Sequence, residues 1–337
     1  MKIAFFEIEE WEVDYLKKTF PDSELWFSKE KLNKDNLPAE KNFEAISVFV
    51  GSTVDKETID YFPNLKLITS RSTGFDHIDS AFAREKNIKL GYVPGYGDNT
   101  VAEFAFALLL CLSRKIFPAF DQIKESGLFS FDGLQGFDLN GKIIGVVGTG
   151  RIGKHSVKIA KGFGMNVIAF DAYPNDQLAK ELGFTYVPFE ELLARADVIT
   201  FHVPYSESTH HLVNLQNIQK IKKGAILINT SRGAVVETEA LLKALNEGIL
   251  AGAGLDVLEE EGPIKDEKAF LLYGHPEKAD LKTILANHVL IDMPNVIITP
   301  HNAFNTKEAL QRILNTDIEN IKSFLSKNET TYPIPLK

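Results

Sequence analysis

Three side chains that could together bind a keto acid and protonate its carbonyl oxygen follow apolar runs in the second half of the chain: Arg232, Glu261 and His301. Arginine binds a carboxylate through two parallel hydrogen bonds, and histidine exchanges protons near neutral pH because its ordinary pKa is about 6.5. A glutamate beside the histidine would orient its ring and favour its charged form. These residue types predict an enzyme that binds the carboxylate of a 2-keto acid while it protonates the carbonyl oxygen.

A glycine-rich motif, G-x-G-x-x-G, directly follows the apolar run 143–147 and opens a helical pattern. The first glycine allows a tight turn, the second lets a pyrophosphate approach the backbone, and the third lets the helix pack closely on the sheet. The free N–H groups and positive dipole end of the helix favour an anion. The residues of the motif predicted to bind the cofactor are Gly148, Gly150, Arg151, Ile152 and Gly153.

Asp171 ends the next apolar run, 167–170. A carboxylate at this place would accept hydrogen bonds from the adenosine ribose, and its charge would repel the additional phosphate of NADP. No arginine follows it in residues 172–176. The sequence therefore predicts NAD as the cofactor.

Apolar runs alternate with helical stretches along the chain, which predicts βαβ units and an α/β fold with parallel sheets. Active sites of such sheets gather at the carboxyl ends of strands, where the predicted site residues lie. The predicted strands are Lys2–Phe6, Ala45–Val50, Leu65–Ser70, Ile143–Val147, Val167–Phe170, Val198–Val203, Ala225–Asn229, Gly254–Val257 and Val296–Thr299.

Two helical patterns mark the joints between two domains. One begins with a capping-box pattern at Thr100–Glu103, and the other follows Asn305 and Glu308, which we expect to cap it. This division predicts a substrate (catalytic) domain of residues 1–99 and 305–337, and an NAD-binding Rossmann domain of residues 100–304. Each would be a Rossmann-like or flavodoxin-like parallel sheet, with the active-site cleft between the two domains. Residues 259–294 are expected to form a surface loop with a short helix.

Composition excludes several other classes of protein. The net charge is −9 and no basic run is longer than Lys222–Lys223, so nucleic-acid binding is not expected. The longest apolar stretch, Phe104–Leu112, is too short to span a membrane. The start, Met1–Glu7, has no signal-peptide pattern, and Cys111 is the only cysteine, which together predict a cytoplasmic protein. No set of residues has metal-ligand spacing, so no metal is expected.

The segments around the three catalytic candidates, in this order after the glycine motif, resemble the D-isomer-specific 2-hydroxyacid dehydrogenase family, especially its D-lactate dehydrogenase branch. The resemblance covers nearly the whole chain. Residues 70–79 (SRSTGFDHID) and 93–103 (VPGYGDNTVAE) are similar to the family's substrate loop and interdomain helix. Residues 299–306 (TPHNAFNT) are similar to its catalytic histidine segment.

The resemblance implies a role for each matching residue. Arg232 would bind the substrate carboxylate and polarise the carbonyl, and His301, paired with Glu261, would be the acid in reduction and the base in oxidation. The residues implied to bind the substrate besides Arg232 and His301 are Thr73, Gly74 and Phe75, through their N–H groups, and Tyr96 and Phe304. The residues implied to border the cofactor are His202, Val203, Pro204, Thr230, Ser231 and Asp256.

The family often has Glu-Pro at the catalytic glutamate, whereas this chain has three glutamates, 259–261, before Gly262-Pro263. Counting from Asp256 favours Glu261, with a register shift of one or two residues left open. Pyruvate/D-lactate is the favoured substrate pair. The alternatives are glyoxylate or hydroxypyruvate, phosphoglycerate, a branched keto acid or, in a different class, an NAD(H)-sensing corepressor-like protein. Phosphorylated substrates require additional basic residues, for which Arg71 is the candidate.

The resemblance also suggests a homodimer formed through the nucleotide-binding domain. The apolar helix at Phe104–Leu112 is one candidate contact, and packing in the core of the domain explains its composition equally well.

Overall fold

The computed structural model describes residues 1–261 and 281–335. The chain divides into two compact units, of which the first comprises Met1–Tyr96 with Thr306–Lys337 and the second comprises Gly97–Asn305. The domain boundary expected from the sequence, after residue 99, lies a few residues beyond this division. Within the described residues no helix is long and apolar enough to cross a membrane.

Strands and helices alternate in both units. The strands are β1 Lys2–Phe5, β2 Glu24–Phe27, β3 Ala45–Val48, β4 Leu67–Ser70, β5 Lys89–Gly91, β6 Ile143–Val147, β7 Asn166–Phe170, β8 Thr185–Tyr186, β9 Val198–Phe201, β10 Ala225–Asn229, β11 Leu250–Leu255 and β12 Val296–Ile298. The helices are α1 Glu10–Thr19, α2 Lys56–Tyr61, α3 Ser80–Glu85, α4 Asp98–Ser113, α5 Ile116–Ser126, α6 Gly153–Gly162, α7 Asp176–Leu182, α8 Phe189–Arg195, α9 Thr238–Asn246, α10 Leu281–Asp292 and α11 Lys307–Lys327. Two short 3₁₀ turns lie at Ile218–Lys220 and Gly233–Val235.

The first unit is a five-stranded parallel sheet in the order β2-β1-β3-β4-β5. Side chains alternate between the two faces of a strand, so β1 contributes to two separate cores. Ile3 and Phe5 pack with Leu314 and Ile321 of α11 on one face, whereas Ala4 belongs to the core on the other. The last helix of the chain therefore completes the first unit.

The second unit is a seven-stranded parallel sheet in the order β12-β11-β10-β9-β6-β7-β8. The strand order reverses at β6, which lies between β7 and the later strand β9. In open α/β sheets a ligand binds at such a switch point, beyond the carboxyl ends of the strands. The glycine motif follows β6, and the segment of His202 follows β9, so both lie at this point. The predicted fold class, two α/β domains with parallel sheets, is confirmed.

All nine predicted strands are present, with ends that differ by a few residues from the predicted ones. The strand predicted at Gly254–Val257 begins earlier, at Leu250. Its first residues were not predicted as a strand, because their alternating alanines and glycines do not form a strongly apolar run. Three strands, β2, β5 and β8, were not predicted from the sequence, and they lie at the edges of the two sheets. An edge strand is paired on one side only, and its residues need not form a continuous buried apolar run.

Both predicted helix caps are wrong in register. The capping box expected at Thr100 does not form, because α4 begins at Asp98 with Gly97 as its N-cap and buries Thr100 in its first turns. The last helix is capped by Thr306, whose hydroxyl accepts a hydrogen bond from the Ala309 N–H (3.2 Å). Residues 281–292, expected to lie largely in a loop, form the helix α10, and residues 262–280 of that expected loop lie outside the described residues.

A buried charged network links the strands of the first unit. Arg71, which is 2% exposed, donates to the Ser47 hydroxyl (3.0 Å) and to the carbonyl oxygens of Phe6 (2.6 Å) and Glu7 (2.8 Å). Ser47 in turn donates to Asp317 of α11 (2.8 Å). Burial raises the pKa of Asp317, while the positive charge of Arg71 and the serine hydroxyl act against this rise. The guanidinium is thus a structural cation.

Replacing Arg71 by Met should destabilise the first unit by about 3 kcal/mol, because it leaves Asp317 buried without its positive neighbour. Both tryptophans of the chain, Trp11 and Trp26, lie in this unit. Urea unfolding followed by tryptophan fluorescence therefore reports on its stability alone. Replacing the exposed Lys18 by Met removes one charge as a control and should change the free energy of unfolding little. Equal stabilities of the two variants would contradict this account of the network.

Candidate active site

The glycine loop after β6 has the backbone shape that a pyrophosphate requires. Gly148 has a φ of +89°, and a Cβ there would come within 2.8 Å of the His202 carbonyl oxygen. A Cβ on Gly153 would overlap the Gly148 carbonyl, so this glycine lets α6 start against the strand. A Cβ on Gly150 would meet no heavy atom within 4 Å. The middle glycine therefore presents bare backbone to open space at the start of a helix, as an anion needs.

Asp171 lies at the end of β7, beside the glycine loop. One of its oxygens accepts hydrogen bonds from the Thr149 N–H (2.7 Å) and hydroxyl (2.9 Å), and the other accepts from the Tyr173 N–H (2.9 Å). The carboxylate is partly exposed, so its remaining lone pairs can face a ligand. The predicted partner of a ribose is thus adjacent to the predicted partner of a pyrophosphate.

Arg151 is an exposed cation at the mouth of the glycine loop, where it pairs with Asp98 at the start of α4 (2.9 Å). Ile152 precedes α6 as its N-cap residue. Both residues directly follow Gly150, whose backbone is open. A pyrophosphate bound at Gly150 would therefore lie near the guanidinium of Arg151, which can neutralise part of its charge.

The segment after β9 forms the opposite side of the switch point. The Nε2 atom of His202 lies 2.8 Å from the Ser156 hydroxyl of α6 and 3.1 Å from the Thr200 hydroxyl. Burial lowers the pKa of His202 to about 3, so the imidazole is neutral at physiological pH. The side chain therefore joins β9 to α6, while Val203 and the exposed Pro204 continue past the glycine loop.

The loop after β10 carries Arg232 and is held by one amide side chain. The Oδ1 atom of Asn229 accepts from the N–H (3.0 Å) and the hydroxyl (2.8 Å) of Ser231, while its amide donates to the Arg232 carbonyl (2.9 Å). The hydroxyl of Thr230 is buried and has no partner within residues 1–261 and 281–335. A polar group of a bound ligand would satisfy this hydroxyl.

Glu261 and His301 form a carboxylate–imidazole pair. The His301 Nδ1 lies 3.1 Å from the Glu261 Oε2, and both side chains are partly buried. The other oxygen of Glu261 accepts from the Leu258 N–H (3.2 Å). The pairing fixes the imidazole plane and leaves Nε2 as the ring atom that can exchange a proton with a substrate.

Asp256, at the end of β11, organises the loop that carries His301. One carboxylate oxygen accepts from the Thr299 hydroxyl (2.6 Å) and the Asn302 N–H (3.0 Å), and the other accepts from the Ala303 N–H (2.8 Å). Burial raises the pKa of Asp256, and these hydrogen bonds act in the opposite direction. The sequence prediction assigned this residue to the cofactor, whereas its carboxylate is engaged with the histidine loop.

The other two glutamates of the triplet differ from Glu261 in their surroundings. Glu259 bonds to His211 (2.7 Å) and to the backbone and side chain of Thr238 at the start of α9. Glu260 is exposed. His211 is half-buried in this pair. The sequence predicted no role for His211 and offered Glu259 only as an alternative partner of His301, because the Glu259–His211 pair joins segments far apart in the chain.

The substrate residues expected from the first half of the chain lie in the first unit. The Thr73 hydroxyl donates to the Val93 carbonyl (2.9 Å), and Gly74 accepts from the Ser72 hydroxyl (2.5 Å), which fixes the loop after β4. Phe75 packs edge-on against Tyr92. The Tyr96 carbonyl accepts from Arg312 of α11 (2.7 Å). Phe304 is partly buried in the second unit, three residues after His301.

The loop at residues 49–53 is held by Glu7, a residue that sequence reasoning passed over. Glu7 has a φ of +53°, and its carboxylate accepts from the N–H groups of Phe49 (3.1 Å) and Gly51 (2.8 Å). The Ser52 hydroxyl donates to the same carboxylate (2.5 Å) and accepts from the Leu32 N–H (2.9 Å), and its side chain is buried. Ser52 therefore faces inward.

The second unit fits NAD on three observations: the open backbone at Gly150, the carboxylate of Asp171 beside it, and the unpaired buried hydroxyl of Thr230. It also brings Arg232, Glu261 and His301 to the carboxyl ends of the neighbouring strands β10, β11 and β12. Among residues 1–261 and 281–335 there is no group of three side chains that could hold a metal ion.

Comparison with known proteins agrees with this geometry. Residues 106–303 match the family model described as D-isomer specific 2-hydroxyacid dehydrogenase, NAD binding domain. The D-lactate dehydrogenase of Escherichia coli is 33% identical over 98% of both chains, and a glyoxylate reductase of Korarchaeum cryptofilum is 33% identical over 94% of this chain and 87% of its own. The structure of a D-lactate dehydrogenase from Aquifex aeolicus with NAD and lactic acid superposes with a TM-score of 0.85, at 34% identity and 98% coverage of both chains.

The low pKa of His202 predicts a loss of stability in acid. The unfolded chain takes up a proton on this side chain near pH 6.5, whereas the folded protein takes it up only near pH 3, so the unfolded state binds more protons between these values. The free energy of unfolding attributable to His202 should therefore fall by about 1–2 kcal/mol between pH 7 and pH 5.

Urea unfolding of the parent and of the His202→Gln variant at pH 7 and pH 5 measures this loss. Other groups titrate in both proteins, so the difference between the two isolates His202. A variant that loses as much stability as the parent over this range would contradict the assignment.

Proposed function

The chain belongs to the D-isomer-specific 2-hydroxyacid dehydrogenase family, and from this premise we propose that it interconverts pyruvate and D-lactate. Like its relatives it is an oxidoreductase that acts on a CH–OH group, and NAD is its cofactor. The observation that carries the proposed chemistry is the bond between His301 Nδ1 and the Glu261 carboxylate. Such a pair is the means by which a histidine is oriented as a general acid.

In the reducing direction, the forked guanidinium of Arg232 binds the substrate carboxylate and polarises the neighbouring carbonyl. NADH, when bound, supplies the hydride that reaches the carbonyl carbon. His301 donates the Nε2 proton to the carbonyl oxygen and is left as the neutral ring with its Nδ1 proton on the Glu261 side. In the oxidising direction the same nitrogen removes the hydroxyl proton.

The remaining substrate and cofactor contacts are part of the proposal. The N–H groups of Thr73, Gly74 and Phe75 contribute to carboxylate binding, and Tyr96 and Phe304 contact the substrate. The residues proposed to contact NAD are Gly148, Gly150, Arg151, Ile152, Gly153, Asp171, His202, Val203, Pro204, Thr230, Ser231 and Asp256. For Asp256 the contact is through the chain around it, because its carboxylate is bonded within the protein. His202 bonds to Ser156 through Nε2, whereas its buried Nδ1 has no partner among residues 1–261 and 281–335.

The structural role of Arg71 disfavours a phosphorylated substrate. This residue was the basic candidate for a second phosphate site, but its guanidinium is buried and bonded to Phe6, Glu7 and Ser47. Glyoxylate and hydroxypyruvate remain the second candidates, since one relative is named a glyoxylate reductase. A branched keto acid is a third candidate. The relatives that match nearly the whole chain do not support a corepressor-like protein.

The proposal is tested by the oxidation of NADH and NADPH with purified protein and a panel of pyruvate, glyoxylate, hydroxypyruvate, 3-phosphohydroxypyruvate and a branched 2-keto acid. Pyruvate with NADH should give the highest kcat/KM, and D-lactate, unlike L-lactate, should be oxidised in reverse. The His301→Gln variant should lose about 10²- to 10⁴-fold in kcat, as expected for the loss of a general acid. Arg232→Lys should chiefly raise KM, since a point charge cannot replace the fork.

The matched control for Arg232→Lys is Arg195→Lys, because Arg195 pairs with Glu191 on the surface of α8. It should leave both kinetic constants unchanged. A higher kcat/KM for glyoxylate would favour the second candidate function. Parent rates in both the His301 and Arg232 variants would exclude the assigned site.

We also propose a cytoplasmic homodimer. The predicted contact helix, α4, has Ala105, Phe106, Leu108 and Leu109 in the core of the second unit. The next helix, α5, has no buried residue. The exposed apolar side chains on α5 and the segment after it are Ile116, Phe117, Phe120, Ile123, Leu128, Phe129 and Phe131. An apolar surface of this kind favours burial against a second copy of the chain.

Replacing Phe120 by Lys should therefore convert the dimer into a monomer, because a charge would be buried in the apolar contact. Light scattering coupled to size-exclusion chromatography measures the mass of each species. Trp11→Lys changes another exposed aromatic residue, in the first unit, and should leave the mass unchanged. A parent protein that is monomeric at all concentrations would rule out the dimer.

A further inference from the structure

Glu259 is tied to three different parts of the second unit. One carboxylate oxygen bonds to His211 Nε2 (2.7 Å), and the other accepts from the N–H (2.7 Å) and hydroxyl (2.6 Å) of Thr238. Its carbonyl oxygen accepts from the side chain of Asn287 in α10 (2.7 Å), a residue that is fully buried. Its side chain is only 13% exposed. Such a set of contacts fixes both the backbone and the side chain of one residue.

His211 extends this connection to the loop of Arg232. The backbone N–H of His211 donates to the carbonyl oxygen of Ala234 (2.8 Å), which lies two residues past Arg232. In the same place a Cβ on Gly233 would overlap the backbone of Leu258 and Glu259. Three segments therefore pack together around the Glu259 carboxylate: the one that contains His211, the loop of Arg232 and the turn at residues 258–261.

Three non-glycine residues in the segments joined by Glu259 and Glu261 have a left-handed backbone. They are His211 (φ +48°), Glu260 (φ +52°) and His301 (φ +54°). A residue with a Cβ adopts this backbone conformation at a cost in free energy. The conformation persists only where surrounding contacts hold the residue in place. Glu260 lies in a turn between Glu259, bound to His211, and Glu261, bound to His301.

We infer that Glu259 and His211 are positioning residues that hold the 258–261 turn so that Glu261 meets His301. The inference rests on the proposed function and adds a second histidine–carboxylate pair to it. Neither residue touches the reacting atoms. Glu259 acts through Glu261, because the two residues flank Glu260, whose left-handed backbone persists only where surrounding contacts hold it.

The role of Glu259 is tested in two backgrounds, the parent and the Glu261→Gln variant. Glu259→Ala should lower kcat about 100-fold in the parent, because a displacement of about 1 Å at a catalytic group has an effect of this size. The dissociation constant of NADH should not change, since the glycine loop is held by other contacts. Glu259→Gln should recover most of the rate, because its amide can accept from Thr238 and donate to a neutral His211.

In the Glu261→Gln background, Glu259→Ala should change kcat by less than about threefold, because the residue through which Glu259 acts is already lost. A general disturbance of the fold would instead multiply the two losses. His211→Asn removes the same bond from the other side and should follow the same pattern, since asparagine tolerates a left-handed backbone while being too short to reach Glu259. Glu260→Gln removes a neighbouring exposed carboxylate and should keep the parent kcat.

Multiplied losses for Glu259→Ala and His211→Asn in the Glu261→Gln background would overturn the positioning role while leaving the proposed function intact. A parent rate for Glu259→Ala would also overturn it. A parent protein that reduces none of the keto acids would overturn the proposed function and this inference together.

Discussion

The buried carboxylate of Asp256 is the contact on which the arrangement of the second unit's site most depends. It accepts three hydrogen bonds from the loop of His301, two of them from backbone N–H groups. Without it, the Ala303 N–H would be buried without a partner, and such a donor costs about 1–3 kcal/mol. The histidine can therefore occupy a left-handed backbone position only because this carboxylate holds the loop on both sides of it.

Side chains that accept hydrogen bonds hold the other loops in the same way. Asn229 holds the loop of Arg232, Glu259 holds the turn of Glu261, and Asp171 contacts the glycine loop. In the first unit, Glu7 does the same for residues 49–52. Each holding group lies at or just beyond the carboxyl end of a parallel strand, where adjacent loops meet. A rigid sheet thus supplies the geometry, while short acceptor side chains transmit it to loops that would otherwise be mobile.

The charges of the chain are divided between structure and chemistry in a way that composition does not reveal. Arg71 and Asp317 are buried in the first unit, where they join strands to α11. Arg151 is exposed beside the glycine loop. For an acidic chain that is proposed to bind an anionic cofactor and an anionic acid, the position of each cation therefore matters more than the net charge.

The sequence alone determined the α/β class, the nine principal strands and the glycine motif, because these follow from local apolar runs and from glycines at fixed spacing. It also pointed to Arg232 and His301 as the groups with the right chemistry. Only the tertiary structure decided which glutamate faces His301, since Glu259, Glu260 and Glu261 are identical in type and differ in what lies across from them. It likewise assigned Asp256 to a loop and Arg71 to a core. Such roles depend on partners far apart in the chain, which no local pattern encodes.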